Sequence, residues 1–210
     1  MQPPGALRVA LALVERPAWV RWASRMPLPS GMIFLLEIAV GDETALHSAH
    51  CMTRRSQQAL QAASAFFIEQ VLFAQDADSY RVLGCRRTAS RRELRRHMAL
   101  LIRWLHPDGR EPFAGNPQID RSVFVRRVTQ AWDDLKDDNR RTGYDQMLTA
   151  RSVADVRWSG RGAVEGRITP PPAFLSDASA RKYRFPRLTV SRVETDTMLS
   201  RLFYYFRRHA

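Results

Sequence analysis

Apolar residues recur at intervals of three and four along most of the first 148 positions, the period of helices that bury one face. Leu7, Val9 to Leu13 and Val14 predict a short apolar helix that stops before Pro17. Pro27 and Pro29 break the chain again after Trp19, Val20 and Trp22, because a proline ring cannot continue the helical ladder. Gly31 to Val40 is an apolar helix candidate ended by Gly41-Asp42, and a longer helix is expected from about Thr53 through Phe73, where Leu60, Ala63, Phe67 and Val71 share a face. Residues 1–77 thus read as a small N-terminal helical subdomain. Only a short polar joint, Gln75 to Ser79, links it to the next helical segment, so the subdomain should pack on that segment rather than hang free.

Residues 78–148 carry the clearest local signals. Asp78 precedes Ser79-Tyr80-Arg81-Val82-Leu83-Gly84, a short helix closed by a glycine that can take the left-handed turn. Ser90 and Glu93 then form an S-x-x-E capping box at the head of a longer helix. In that helix Leu94, Met98, Leu101 and Leu105 form one apolar stripe. A wheel at about 100° per residue places Arg92, Arg96 and Arg103 on the opposite face, with Arg95 nearer the core edge. Leu100 and Trp104 lie off the stripe, either as tolerated exposed side chains or as a docking point for the N-terminal helices. Pro107 ends the helix, and a polar loop through Gly109 and Gly115 to Asn116-Pro117 leads to a second long helix with Val125, Val128, Trp132 and Leu135 on one side. Two such helices joined by a loop should pack antiparallel.

From about Ala150 the composition shifts. Gly160, Gly162, Gly166 and Pro170-Pro171-Pro172 resist regular structure. Tyr183, Phe185, Leu188 and Val190 suit a short extended segment, and Leu199, Leu202, Phe203 and Phe206 share one face of a final amphipathic helix over 198–208. Charge sharpens this picture. The 33 basic residues outnumber the 21 acidic ones, yet residues 1–77 are balanced at six against six, while 149–210 hold twelve basic and five acidic groups. The tail, 149–210, therefore reads as basic and partly disordered, and an anionic membrane surface is a candidate partner through 198–208. All but two of the basic residues are arginine, Lys136 and Lys182 being the exceptions. That usage reflects genome composition as readily as a need for bidentate contacts.

Little points to catalysis or metal. Cys51 and Cys85 are far apart, so neither a zinc module nor a disulfide framework is indicated. His47 and His50 have helical ligand spacing but, without a third ligand, read as surface residues. Neither a triad spacing nor a glycine-rich phosphate loop occurs, so no catalytic residue, cofactor or small-molecule substrate is expected. No apolar run reaches the roughly 18 to 20 residues that span a bilayer, and the stretch from Ala6 to Val14 lacks a small-residue cleavage pattern.

Against this background, Tyr80-Arg81-Val82-Leu83-Gly84 resembles the opening of a J domain of the DnaJ type, and His106-Pro107-Asp108 resembles its signature in the loop after the second helix. Ala131-Trp132 with Leu135 resembles the family's third-helix Ala-Tyr and Leu, and Arg140-Arg141 with Tyr144-Asp145 its closing Arg-x-x-Tyr-Asp. The likeness covers about a third of the chain, and the order and spacing make it specific. It implies an all-α fold: a J-domain antiparallel helical hairpin with short flanking helices over 78–148, with the N-terminal subdomain and a largely irregular tail around it. Tyr80, Leu83, Leu94, Met98, Leu101, Leu105, Val125, Val128, Trp132 and Leu135 would be its core. The family's tripeptide and basic helix face engage the ATPase domain and interdomain linker of a DnaK-type chaperone and accelerate ATP hydrolysis. By resemblance, that assigns His106, Pro107, Asp108, Arg95, Arg96 and Arg103 to partner binding, Asp108 engaging an arginine of the partner and Pro107 stiffening the loop. Ala99, Leu100 and Trp104 depart from the pattern, standing where relatives often have Lys or Arg. No Gly/Phe-rich stretch and no CxxCxGxG repeats occur after the motif, so the chain resembles the minimal class of J proteins.

The function expected is that of a cytoplasmic co-chaperone, with the tail as a means of holding it at the membrane periphery. The alternative is a membrane-surface or nucleic-acid tether in which a degenerate J domain serves as scaffold, although nucleic acid is the disfavoured partner. The tail gives the alternative its test. With Arg201, Arg207 and Arg208 beside its apolar face, each basic group contributing about 1 kcal/mol near an anionic surface, the protein should sediment weakly with anionic liposomes at low salt and less so at high salt. Equal pelleting of a chain ending at Ala150 would rule the tail out as the cause.

Overall fold

A computed structural model describes residues 2–106 and 121–159, with side chains placed up to residue 151. Among the described residues the regular structure is helical, with no strand. Pro107, Asp108 and the rest of the polar loop, the Gly/Pro-rich linker, the extended segment at 183–190 and the amphipathic helix at 198–208 lie outside them.

The N-terminal region begins with α1 (Gly5–Glu15). Pro17 opens a 3-10 turn, Pro17–Trp19, that runs into α2 (Val20–Ala23). Gly31, at φ +84°, reverses the chain into α3 (Met32–Ala39). Only glycine serves there, since a Cβ would lie 2.5 Å from Pro4 Cβ as well as in a left-handed backbone. Met32, Leu35, Leu36 and Ile38 are all buried, as expected of a helix that is apolar all round. That burial comes from a central position, where α3 touches α1, α4, α5 and α7.

A helix that the pattern does not predict precedes the one expected from about Thr53 to Phe73. α4 (Glu43–Thr53) fills the stretch that periodicity leaves blank. Its buried residues are Ala45, Leu46 and Ala49, too small and too few to print a strong stripe. Its N-cap is clear, with Asp42 accepting from the Thr44 and Ala45 amides at 3.1 and 3.0 Å. Arg54, at φ +57°, ends it, and Ser56 caps α5 (Gln57–Phe67). α5 continues as a π-helical turn, Ile68–Leu72. The predicted face survives this change of pitch: Leu60, Ala63, Phe67 and Val71 are all at most 1% exposed.

The remaining elements are α6 (Ser79–Val82), α7 (Arg91–Leu105), α8 (Arg121–Leu135) and α9 (Asp138–Ser159). α7 packs on α8, and α6 and α9 both pack on α8. Ser79 Oγ bonds Asp134 near the end of α8, whereas Phe124 near its start shares Phe73 with Trp104 at the end of α7. The hairpin is therefore antiparallel. Leu94, Met98, Leu101, Leu105, Val125, Val128 and Leu135 are buried, with Tyr80 and Leu83. Trp132, expected in this core, is only half-buried against it. An indole is rarely enclosed completely, and Ala131 takes the inner position.

The closing Arg-x-x-Tyr-Asp motif ties α9 to α6. Tyr80 donates its hydroxyl proton to Asp145 at 2.9 Å while accepting from Arg141 Nε at 2.9 Å. Arg141 also donates to the Arg87 carbonyl, and the Ser79 amide donates to Tyr144. α9 runs past Ala150, where irregular chain was expected, to Ser159. The first glycine after Ala150 is Gly160.

Glu69, in the π-helical turn, is 9% exposed. Loss of hydration pushes its carboxyl up to about 7, against a weaker opposing pull from Arg121. The folded chain thus holds this proton to higher pH than the unfolded chain, so Glu69 costs stability increasingly as pH rises from about 4.5 through 7. Glu69→Gln is expected to stabilise by on the order of 3 kcal/mol at pH 8 and to change little at pH 4. Urea unfolding at the two pH values checks it, and an equal effect at both would refute the assignment.

Candidate functional site

The site predicted from the sequence lies on α7 and the chain that leaves it. Ser90 Oγ accepts from the Glu93 amide at 3.2 Å, which starts the helix as the capping box predicts. His106 ends it in an extended conformation, φ −65° and ψ 135°, the region favoured before a proline. Its amide still reaches the Arg103 carbonyl at 3.3 Å, and its side chain is half-buried at the mouth of the loop. Pro107 and Asp108 come next, outside the described residues.

Arg92, Arg95, Arg96 and Arg103 are exposed on the outer side of α7. Arg95 is as exposed as the others rather than tucked at the core edge, because its long stem carries the guanidinium out to water. Arg96 is engaged in a way the sequence did not announce, donating to Glu37 Oε1 on α3. Arg103 lies near Asp42, whose carboxyl is held below its usual value first by Thr44 and Ala45 and to a lesser degree by Arg103.

The inner side of α7 has two contacts. One is the stripe against α8. The other, formed by His97, Leu100 and Trp104, turns toward the N-terminal helices. His97 is 3% exposed, with Nδ1 3.0 Å from the Leu83 carbonyl. Burial lowers its pKa, so the ring is neutral, and since a carbonyl only accepts, Nδ1–H is the donor. Gly84, at φ +66°, closes α6 over this histidine, and a Cβ there would meet Leu72, His97 and Met32 at once. Leu100 is partly buried and Trp104 is buried, so the two form a docking point rather than exposed side chains.

The dock is centred on Phe73, just after the π-helical turn. Its ring stacks on Phe124 with centroids 4.7 Å apart and meets Trp104 at 6.3 Å. Arg127 of α8 donates to the Phe73 and Ala74 carbonyls at 2.6 and 2.7 Å. Phe73 therefore joins the end of α7 to the start of α8, the two ends between which residues 107–120 run. Sequence reasoning missed Glu37 and the role of Phe73, although the off-stripe Leu100 and Trp104 signalled that something covers this flank.

A family model of the DnaJ domain matches residues 78–145. The "Chaperone protein DnaJ" of Orientia tsutsugamushi is 36% identical over 72 residues in strain Boryong, covering 34% of this chain and 18% of that one. In strain Ikeda identity is 35% over 101 residues, covering 47% of this chain and 26% of the relative. The human "DnaJ homolog subfamily C member 16" is 36% identical over 80 residues, covering 38% of this chain and 9% of its own length. The chain thus spans about a quarter or less of the length of these relatives, and no solved structure matches it significantly. Within residues 78–145 the chain carries a DnaJ domain. It does so with a helical extension before it and without zinc-finger repeats, its two cysteines being too few for them.

The dock has a measurable consequence. Phe73→Ala should destabilise the protein by about 3 to 5 kcal/mol, the usual cost of removing a buried phenylalanine. Denaturant unfolding measured by tryptophan fluorescence should show one cooperative transition moved to lower denaturant. Two transitions, the J-domain one unmoved, would show that the extension and the hairpin fold independently.

Proposed function

We infer that the chain is a co-chaperone that stimulates ATP hydrolysis by a DnaK-type chaperone, acting in the cytoplasm and carrying out no catalysis itself. The observation that carries this reading is the DnaJ-domain match over 78–145, together with an α7 whose exposed arginines lead to His106 at the mouth of the loop. Among the described residues no helix is long and apolar enough to cross a membrane.

In this reading the arginines of α7 speed encounter with an acidic surface, because long-range attraction acts mainly on association. His106-Pro107-Asp108 then supplies the specific contact. Proline restricts the loop, and the Asp108 carboxylate accepts a charge-assisted bond from an arginine of the partner, a contact of about 1.5 to 3 kcal/mol. That suffices to change affinity roughly ten- to a hundredfold. Arg95 and Arg103 contribute through more solvated contacts that salt weakens. The rigid α7 to α8 hairpin, braced by Phe73, holds the loop's two ends in fixed relation.

Asp108→Asn should abolish stimulation of the host's DnaK-type ATPase while shifting stability by no more than about 0.5 kcal/mol, since Asp108 belongs to neither apolar stripe of the sequence. Steady-state ATP turnover and thermal unfolding of the same preparation check both halves. If the Asn variant stimulates as well as the parent, the tripeptide mechanism is wrong and the tether becomes the leading reading.

A further inference from the structure

The extension and the basic face of α7 are not electrically independent. Residues 1–77 are neutral in sum, but α3 and the turn after it bring carboxylates to the flank of α7. Glu37 pairs with Arg96, its side chain 22% exposed against 64% for the arginine. Just beyond the end of α3, Asp42 lies within electrostatic reach of Arg103, two turns along α7 from Arg96. Its neighbours Leu36 and Ile38 are at most 1% exposed, so packing fixes the backbone that presents Glu37 to Arg96.

We propose that Glu37 is a specificity-determining residue: it competes, within the chain, with the acidic surface of the DnaK-type partner for Arg96. This rests on the co-chaperone reading. A tethered carboxylate acts at the high effective concentration of an intramolecular group, so a partner gains from Arg96 only after displacing Glu37. The strip favoured for docking is then the side of α7 that a helical wheel places away from Leu100 and Trp104, and so away from the extension. Partners whose acidic patch extends over α3 also meet Glu37 and Asp42 as like charges, which selects against them. The extension thereby narrows a generic basic helix to one strip of its surface.

Glu37→Gln keeps the shape and removes the charge. In ATPase titrations with the host's DnaK-type protein at low salt, it should lower the concentration for half-maximal stimulation about threefold, the size expected of a solvated ion pair. At about 0.5 M salt, where the screening length is only a few ångströms, the difference should vanish. Arg96→Gln should cost more in the Glu37→Gln background than in the parent, and unfolding midpoints of all four chains should agree within a few degrees. If the parent stimulates and Glu37→Gln leaves the half-maximal concentration unchanged, the inference is overturned while the co-chaperone reading stands. If neither chain stimulates at any concentration, the reading itself fails and the inference falls with it.

Discussion

The structure depends on α7 being covered from two directions. One flank, Leu94, Met98, Leu101 and Leu105, lies against α8, and a second, His97, Leu100 and Trp104, faces the N-terminal helices. The rest of the helix faces solvent, and that face carries Arg92, Arg95, Arg96 and Arg103. Burying an apolar side chain such as Trp104 or Leu101 contributes roughly 1.5 to 3 kcal/mol, whereas the solvated pair Arg96 to Glu37 contributes at most about 1 kcal/mol. Packing therefore decides where the extension sits, and the charges only tune the surface that remains exposed.

Phe73 makes the arrangement consequential for function. It closes the end of the hairpin at which His106 lies, with Arg127 fixing the backbone that carries it. The π-helical turn just before it, Ile68–Leu72, widens the helix at the point where the chain turns Phe73 toward Trp104. A buried carboxyl, Glu69, sits in that same turn. Its desolvation is tolerated because neighbouring side chains, Phe67, Ile68 and Leu72 among them, are fully buried and outweigh it.

Much of the hairpin is legible in the sequence because its signals are local. Ser90, Glu93 and Pro107 mark the two ends of α7 within a few residues, and the stripe from Leu94 to Leu105 repeats faithfully. α4 is not legible, since a helix that packs through alanines has almost no hydrophobic contrast. α9 outruns its expected end because the next glycine after Ala150 is Gly160, ten residues on. Trp132 shows that a large ring at an apolar position need not be enclosed. The contacts Glu37 to Arg96 and Phe73 to Trp104 are tertiary, and periodicity says which face of a helix is apolar without naming the element that covers it.

If the exposed strip of α7 and the tripeptide after it act on another protein's ATPase, steady-state ATP turnover by the host's DnaK-type chaperone, measured with increasing amounts of this chain, tests that action most directly. A saturable rise in turnover that added salt weakens is the predicted result. Turnover that stays flat across the titration, with the chain folded by circular dichroism, would contradict it.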